Sequence, residues 1–239
     1  MRIAIVSDIH GNRTALEAVL ADLRQTSPDL IFHGGDLADG GARPVEVVDR
    51  IRELGWQGVL GNTDEMLFRP EALTDFASGL PHLQTMFAAI AERATATRDR
   101  LGEDRLAWLA GLPRRHIHGP MALVHASPES LWQAPAPEAD DAEMESVYKP
   151  LGQPIAVYAH LHRSFIRDVG EMIVINTGSV SLSHDGDRRA AYLLLDNSQP
   201  EIRRVEYDLE RELKALGECG LPHAYWLARI LRSGRPQMP

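Results

Sequence analysis

The chain has 239 residues, 44% hydrophobic and 25% charged, with a formal net charge of -9 and one cysteine. That length and apolar content can bury one large core. The acidity argues against a general nucleic-acid binder, and the lone Cys219 excludes an internal disulfide or a cysteine-built zinc module. No apolar run approaches a membrane span and no leader precedes the first apolar run, so a soluble cytoplasmic protein without a membrane partner is expected.

The first fifteen residues, MRIAIVSDIHGNRTA, set the pattern for the chain. Ile3, Ala4, Ile5 and Val6 read as a buried central strand that ends abruptly in Asp8 and His10. In open α/β sheets ligands collect at the carboxyl ends of strands, where these two side chains would stand. Asn12 can cap a helix whose apolar face is Leu16, Val19, Leu20 and Leu23. A second unit repeats this plan. Leu30 to Phe32 form a strand, HGGDLADGG carries Asp36 and Asp39, and Pro44, Val47, Val48, Ile51 and Leu54 share a helical face. A third strand around Gly58 to Leu60 leads into GNTDE, with Asn62 and Asp64. Consecutive β-α-β-α-β predicts a parallel sheet with its loops on one edge.

From Glu65 to Leu112 strand signals give way to helical periodicity, a helical insertion that either packs beside the sheet or caps the active edge. His116, Ile117 and His118 alternate before a Gly-Pro turn, which places that histidine pair at the opposite edge or on a neighbouring hairpin. Met121 to Val124 end at His125. The stretch at about 128–150, rich in Pro, Ala and acids, is expected to be a surface excursion without regular structure, leaving directly from a candidate site and able to cover it. Ile155 to Tyr158 end in Ala159-His160-Leu161-His162. Strands at Phe165–Ile166, Met172–Ile175, Ala190–Leu195 and Ile202–Tyr207 predict antiparallel pairing in the second half, and the last helices read as packing.

The polar strand ends assemble into one set: Asp8, His10, Asp36, Asn62, His125, His160 and His162. Mixed oxygen and imidazole donors suit Mn²⁺, Fe or Zn²⁺ better than Mg²⁺. Seven donors are too many for one ion and match two ions that share a carboxylate. Such a pair, roughly 3.5–4 Å apart, can hold a hydroxide in line with a phosphoryl group and neutralise its charge.

These blocks also resemble the calcineurin-like metallophosphoesterase superfamily, in particular its compact bacterial phosphodiesterase-like branch. The resemblance rests on Asp8-Ile9-His10, Gly35-Asp36-Leu37-Ala38-Asp39, Gly61-Asn62-Thr63-Asp64, Val124-His125 and Ala159-His160-Leu161-His162, all in order, with Asn176 to Ser181 after them. It implies a single domain over 1–239 built as a two-sheet α-β-β-α sandwich, its first half parallel and its later strands mixed or antiparallel. It implies that Asp8, His10, Asp36 and His162 hold one divalent ion and Asp36, Asn62, His125 and His160 the other, with Asp36 bridging. Manganese is favoured, with Fe, Zn²⁺ or Ni²⁺ as alternatives. Asp36, Asn62, His125 and Asp64 are the candidate catalytic residues. The implied activity is hydrolysis of a small phosphodiester or phosphomonoester by a metal-bound hydroxide. The rivals are a phosphoprotein phosphatase, a dinucleoside polyphosphate hydrolase, a nuclease with a basic track, and a non-catalytic metal-binding interaction domain.

Two departures stand out. Many relatives carry a histidine where this chain has Thr63, and a threonine hydroxyl cannot act as an acid near neutral pH. Losing such help ordinarily costs about 10²–10⁴ in rate. Asp64, which supports that histidine in relatives, is left as a carboxylate behind the ligands, a helix cap or a proton donor. Gly40-Gly41 also replaces an arginine that follows the second aspartate in phosphoprotein phosphatases and dinucleoside tetraphosphate hydrolases, which lowers both assignments. Asp39 reads either as an acceptor for a ligand histidine or as a turn aspartate. Arg13 reads as a phosphate contact or a solvated charge, and Trp132 as a stacking surface or a cover for an apolar edge. The acidic stretch Glu138 to Glu145 opposes long nucleic acid, leaving a small phosphorylated substrate as the expected partner.

Overall fold

A computed structural model describes residues 1–239. The opening run forms β1 (Arg2–Val6), followed by α1 (Arg13–Thr26), β2 (Leu30–His33), α2 (Pro44–Leu54) and β3 (Gln57–Gly58). Asn12 does cap α1, its side-chain oxygen accepting from Ala15 N at 2.9 Å, and Leu16, Val19, Leu20 and Leu23 are buried. The helical insertion comprises α3 (Asn62–Phe68), α4 (Glu71–Ser78) and α5 (Gln84–Ala110), which breaks at Gly102, where φ is 72°. The second half contains β4 (Arg115–His118), β5 (Met121–Val124), α6 (Asp141–Tyr148), β6 (Ile155–Tyr158), β7 (Phe165–Val169), β8 (Met172–Asn176), β9 (Ala190–Asp196) and β10 (Gln199–Val205). Two helices close the chain, α7 (Leu209–Glu218) and α8 (Ala224–Ser233).

Two five-stranded sheets result, in the orders β10-β9-β1-β2-β3 and β4-β5-β6-β8-β7. Alternation along each strand explains how they stack. Ile3 and Ile5 of β1 point inward with Phe32, Leu123, Val157, Ile175 and Leu193, forming the layer between the sheets. Ala4 and Val6 point outward against Leu16, Val19, Val47 and Ile51 of α1 and α2. On the far side, Val124, Tyr158 and Val174 pack against Met144 and Tyr148 of α6. The architecture is the expected α-β-β-α sandwich. No helix is long and apolar enough to cross a membrane.

Two expectations need correction. The strand placed at 58–60 has only two residues, because Leu60 N leaves the sheet to donate to Pro113 O at 2.8 Å. Pairing in the second half is mixed, as the resemblance implied: β5, β6 and β8 run parallel, while β4, β7, β9 and β10 pair antiparallel with their neighbours. The excursion at 128–150 is not wholly irregular. Asp140 accepts from Glu143 N at 2.8 Å and starts α6, and burial of Met144 and Tyr148 outweighs the Pro- and Ala-rich composition before it. The His116–His118 pair lies on the edge strand β4 of a hairpin, as expected.

Candidate metal centre

All seven candidate ligands sit just past the carboxyl ends of parallel strands: Asp8 and His10 after β1, Asp36 after β2, Asn62 after β3, His125 after β5, His160 and His162 after β6. The loops are laced together by main-chain bonds. Asp8 N donates to Gly35 O, His10 N to Asp36 O and Gly11 N to Leu37 O, at 2.9–3.0 Å. Ten non-glycine residues have left-handed φ, and five of them are Asp8, His10, Asp36, His160 and His162. Such conformations cost about 1–3 kcal/mol each and persist where surrounding structure imposes them, commonly at functional sites. Gly61 is required beside them, since a Cβ there would strike the Asp36 carboxylate.

Proton positions follow from the acceptors. Nδ1 of His10, His125 and His162 face the carbonyls of Asp39, Gly34 and Leu182 at 2.6, 2.7 and 2.7 Å, so each Nδ1 carries the hydrogen and each neutral ring presents a lone pair at Nε2. Those lone pairs converge. His10 Nε2 and His162 Nε2 are 3.1 Å apart, and Asp8 Oδ1, buried without a hydrogen-bond partner, lies 3.2 Å from His162 Nε2. One ligand atom from each of Asp8, His10, Asp36 and His162 falls within 4.8 Å of the others. In the other half, Asn62 Oδ1 is 2.8 Å from His125 Nε2 and 3.0 Å from His160 Nδ1. Asp36 touches both halves, with Oδ2 3.7 Å from His10 Nε2 and Oδ1 3.5 Å from His125 Nε2.

Bare lone pairs and buried carboxylates facing one another are costly without positive charge between them. The donor set therefore fits divalent cations. Burial, reinforced by neighbouring histidines, holds His10 and His160 down to about 3, in the neutral form that ligates. For His162 burial works downward, but Asp8 more than offsets it and holds the ring above its usual range. Burial, then the charge of Asp8, pushes Asp36 upward.

The supporting residues revise the reading of Asp39 and Asp64. Asp39 does receive a ligand histidine, but on its main-chain carbonyl; its carboxylate takes Arg93 Nε and Nη2 at 2.9 and 2.7 Å and Thr97 Oγ1 at 2.9 Å. Asp64 is neither a cap nor open to the cavity. It is fully buried and accepts from Leu37 N and Ala38 N at 3.0–3.2 Å, fixing the loop that presents Asp36. Burial, then the Asp36 charge, pushes it up to about 7. Thr63 contributes its main-chain N–H, which donates to Asp36 Oδ1 at 2.9 Å. Arg13 lies 3.5 Å from Glu17 on the helix surface, and Trp132 donates to Glu65 at 2.8 Å while packing on Phe76, so both take their structural readings.

Above the cluster is a cavity of about 240 Å³. The stretch at 128–150 contributes none of its walls; they come from Met86, Ile90 and Arg93 of α5 and from α8 with the residues after it. α5 therefore both packs and caps, and α8, read from sequence as packing alone, reaches the site. His184 was missed as well: its ring stacks 4.7 Å from that of His162 and borders the same cavity. Its only sequence signal was its position three residues beyond Ser181.

A two-sheet sandwich with a buried aspartate-histidine cluster at its strand exits defines an α/β protein with a candidate metal centre. The family model for the calcineurin-like phosphoesterase superfamily domain matches residues 1–199, and the chain belongs to that superfamily. It is 31% identical over 256 residues to the uncharacterized protein MJ0912 of Methanocaldococcus jannaschii, covering 98% of each chain. It is 27% identical to the phosphodiesterase YfcE of Escherichia coli K12, over 82% of this chain and 88% of that one. The crystal structure of a metallophosphoesterase from Sphaerobacter thermophilus superposes with a TM-score of 0.77 at 27% identity, covering 98% of this chain and 99% of the other.

Proposed function

We propose that the protein is a hydrolase of small phosphoesters that works with two divalent cations, manganese first among them, and prefers diesters to monoesters. The observation that carries this is the meeting of His10, His162, Asp8 and Asp36 around a point that demands positive charge, with Asp36 shared by a second donor group. Asp8, His10, Asp36 and His162 would hold one cation, and Asp36, Asn62, His125 and His160 the other. Divalent cations supply an acidified water as nucleophile and neutralise charge on the phosphoryl group. The chain does the rest. The carbonyls of Asp39, Gly34 and Leu182 fix three imidazoles in one tautomer. Thr63 N and Gly61 set the Asp36 carboxylate, and Asp64 holds its loop.

No free cation borders the cavity, since Arg93 is committed to Asp39, which disfavours a dinucleoside polyphosphate and an extended nucleic acid. The resemblance to YfcE supports a diester. A cytoplasmic setting fits a chain whose one cysteine is free. The test is a screen of aryl diesters, aryl monoesters, cyclic nucleotides and dinucleoside polyphosphates with metal-reconstituted protein, beside Asp36→Asn and Asn62→Ala. Metal-dependent turnover of an aryl diester, nearly abolished in both variants, is expected. Unchanged turnover in both variants overturns the assigned centre.

A further inference from the structure

The superfamily match ends at residue 199, yet the elements after it close over the metal ligands. Trp226, Leu227 and Ile230 of α8, with Met86 and Ile90 of α5 packed against them, line the cavity together with residues of the aspartate-histidine cluster. This wall is pinned in place. Trp226 Nε1 donates to Gln237 O at 2.7 Å, Arg229 Nη2 to Gln237 Oε1 at 3.0 Å, and Gly186 N to Gly234 O at 2.7 Å. The Arg93 guanidinium stacks on the Trp226 ring at 5.4 Å while bonded to Asp39. The lining is thus divided between a polar set from the strand exits and an apolar set from the two helices, a usual division in small-molecule sites.

We propose that Met86, Ile90, Trp226, Leu227 and Ile230 bind the organic substituent of the phosphoester and select an uncharged, flat group of about one aromatic ring. This rests on the phosphoesterase reading above, because the phosphoryl group must sit over the cluster for its substituent to lie here. The volume, about 240 Å³, must also take the phosphoryl group, and the remainder suits a substituent of about one ring. Charge decides the class: Arg93 is the one lysine or arginine bordering the space, and Asp39 already occupies it, so an anionic substituent would lose hydration without gaining a partner.

The experiment is calorimetric titration of the full chain, loaded with Mn²⁺, with three phosphonates that cannot be hydrolysed. Phenylphosphonate is expected to bind at least tenfold more tightly than methylphosphonate, and 4-carboxyphenylphosphonate no more tightly than methylphosphonate. Trp226→Ala and the less buried Met86→Ala should each shrink the phenyl preference below threefold while leaving methylphosphonate affinity unchanged, with thermal melts confirming that both fold. Equal phenyl and methyl affinity in the parent, no binding of either, or a full preference surviving in both variants overturns the proposal. A phenyl preference in a protein that turns over no ester would overturn the phosphoesterase reading and leave the pocket assignment standing.

Discussion

Arg93 and Asp39, 54 residues apart, form a buried ion pair in which one carboxylate oxygen accepts from both Nε and Nη2, while the Asp39 carbonyl receives Nδ1 of the ligand His10. The helical insertion thereby holds the loop of a candidate ligand, with Arg93 on one carboxylate oxygen and Thr97 Oγ1, at 2.9 Å, on the other. Removing one partner of a buried pair strands a charge and typically costs about 3–5 kcal/mol. Arg93→Met is expected to destabilise the protein by that amount, and adding Asp39→Asn should recover part of it. Metal affinity should fall about 10–100-fold in the single variant, as it does when groups behind a ligand are lost. Denaturant unfolding and metal titration check this; strictly additive losses would mean that the two side chains act independently.

Asp64 spends both carboxylate oxygens on the N–H groups of Leu37 and Ala38. Asp64→Asn turns an amide donor toward those donors and should cost about 1–3 kcal/mol of stability. It should slow good and poor leaving groups by the same factor. A selective loss on poor leaving groups, read from rates across a series of substituted phenols, would make Asp64 a proton donor instead.

Thr63 borders the cavity and carries a buried hydroxyl without a hydrogen-bond partner. Thr63→His would restore an acid at that position, and acid help is worth about 10²–10⁴ where protonation limits the rate. Alkyl and unsubstituted phenyl esters should then gain more than nitrophenyl esters. Equal gains or losses across leaving groups would exclude leaving-group protonation as the missing step.

Stability should depend on pH in a calculable direction. Burial holds His10, His33, His160 and His184 at about 3, so unfolding lets each take up a proton between there and its ordinary 6.5. Asp64, at about 7, and the raised Asp36 and Glu212 bind protons on folding and oppose this, as the raised His162 does above 6.5, but below 6.5 the four histidines, joined by the lowered His116, outnumber the three carboxyls. Metal-free protein should therefore lose stability as pH falls from 6.5 toward 3, each net proton contributing about 1.4 kcal/mol per pH unit. Urea midpoints in chelator at pH 5 and pH 7 measure it. A midpoint at pH 5 equal to or above that at pH 7 contradicts the assignment of neutral buried imidazoles.

The seven cluster residues were legible because each follows an apolar run that stops short, a signal that survives without knowledge of the fold. The same logic yielded the parallel first half and the Asn12 cap. What escaped depends on where distant segments land. Nothing local pairs Arg93 with Asp39, and the apolar face of α8 would suit any neighbouring surface equally well. His184 becomes informative only once the loop after β8 is seen donating Ser181 N to Asp8 O and His184 N to His162 O. α6 escaped for the opposite reason, its local composition masking two residues that only tertiary burial rewards.

The left-handed turns at Asp8, His10, Asp36, His160 and His162 belong to the path of the main chain, and at Asp8 and His10 that path is fastened loop to loop through peptide groups. Side-chain identity there is consequently separable from the course of the polypeptide, within the limits that such turns impose, which asparagine and aspartate meet most easily. Exchanging Asp8 or Asp36 for asparagine is therefore expected to keep the course of the chain while removing a negative charge from the cluster. Single replacements in the cluster would in this way alter its charge without rebuilding the sheets beneath it.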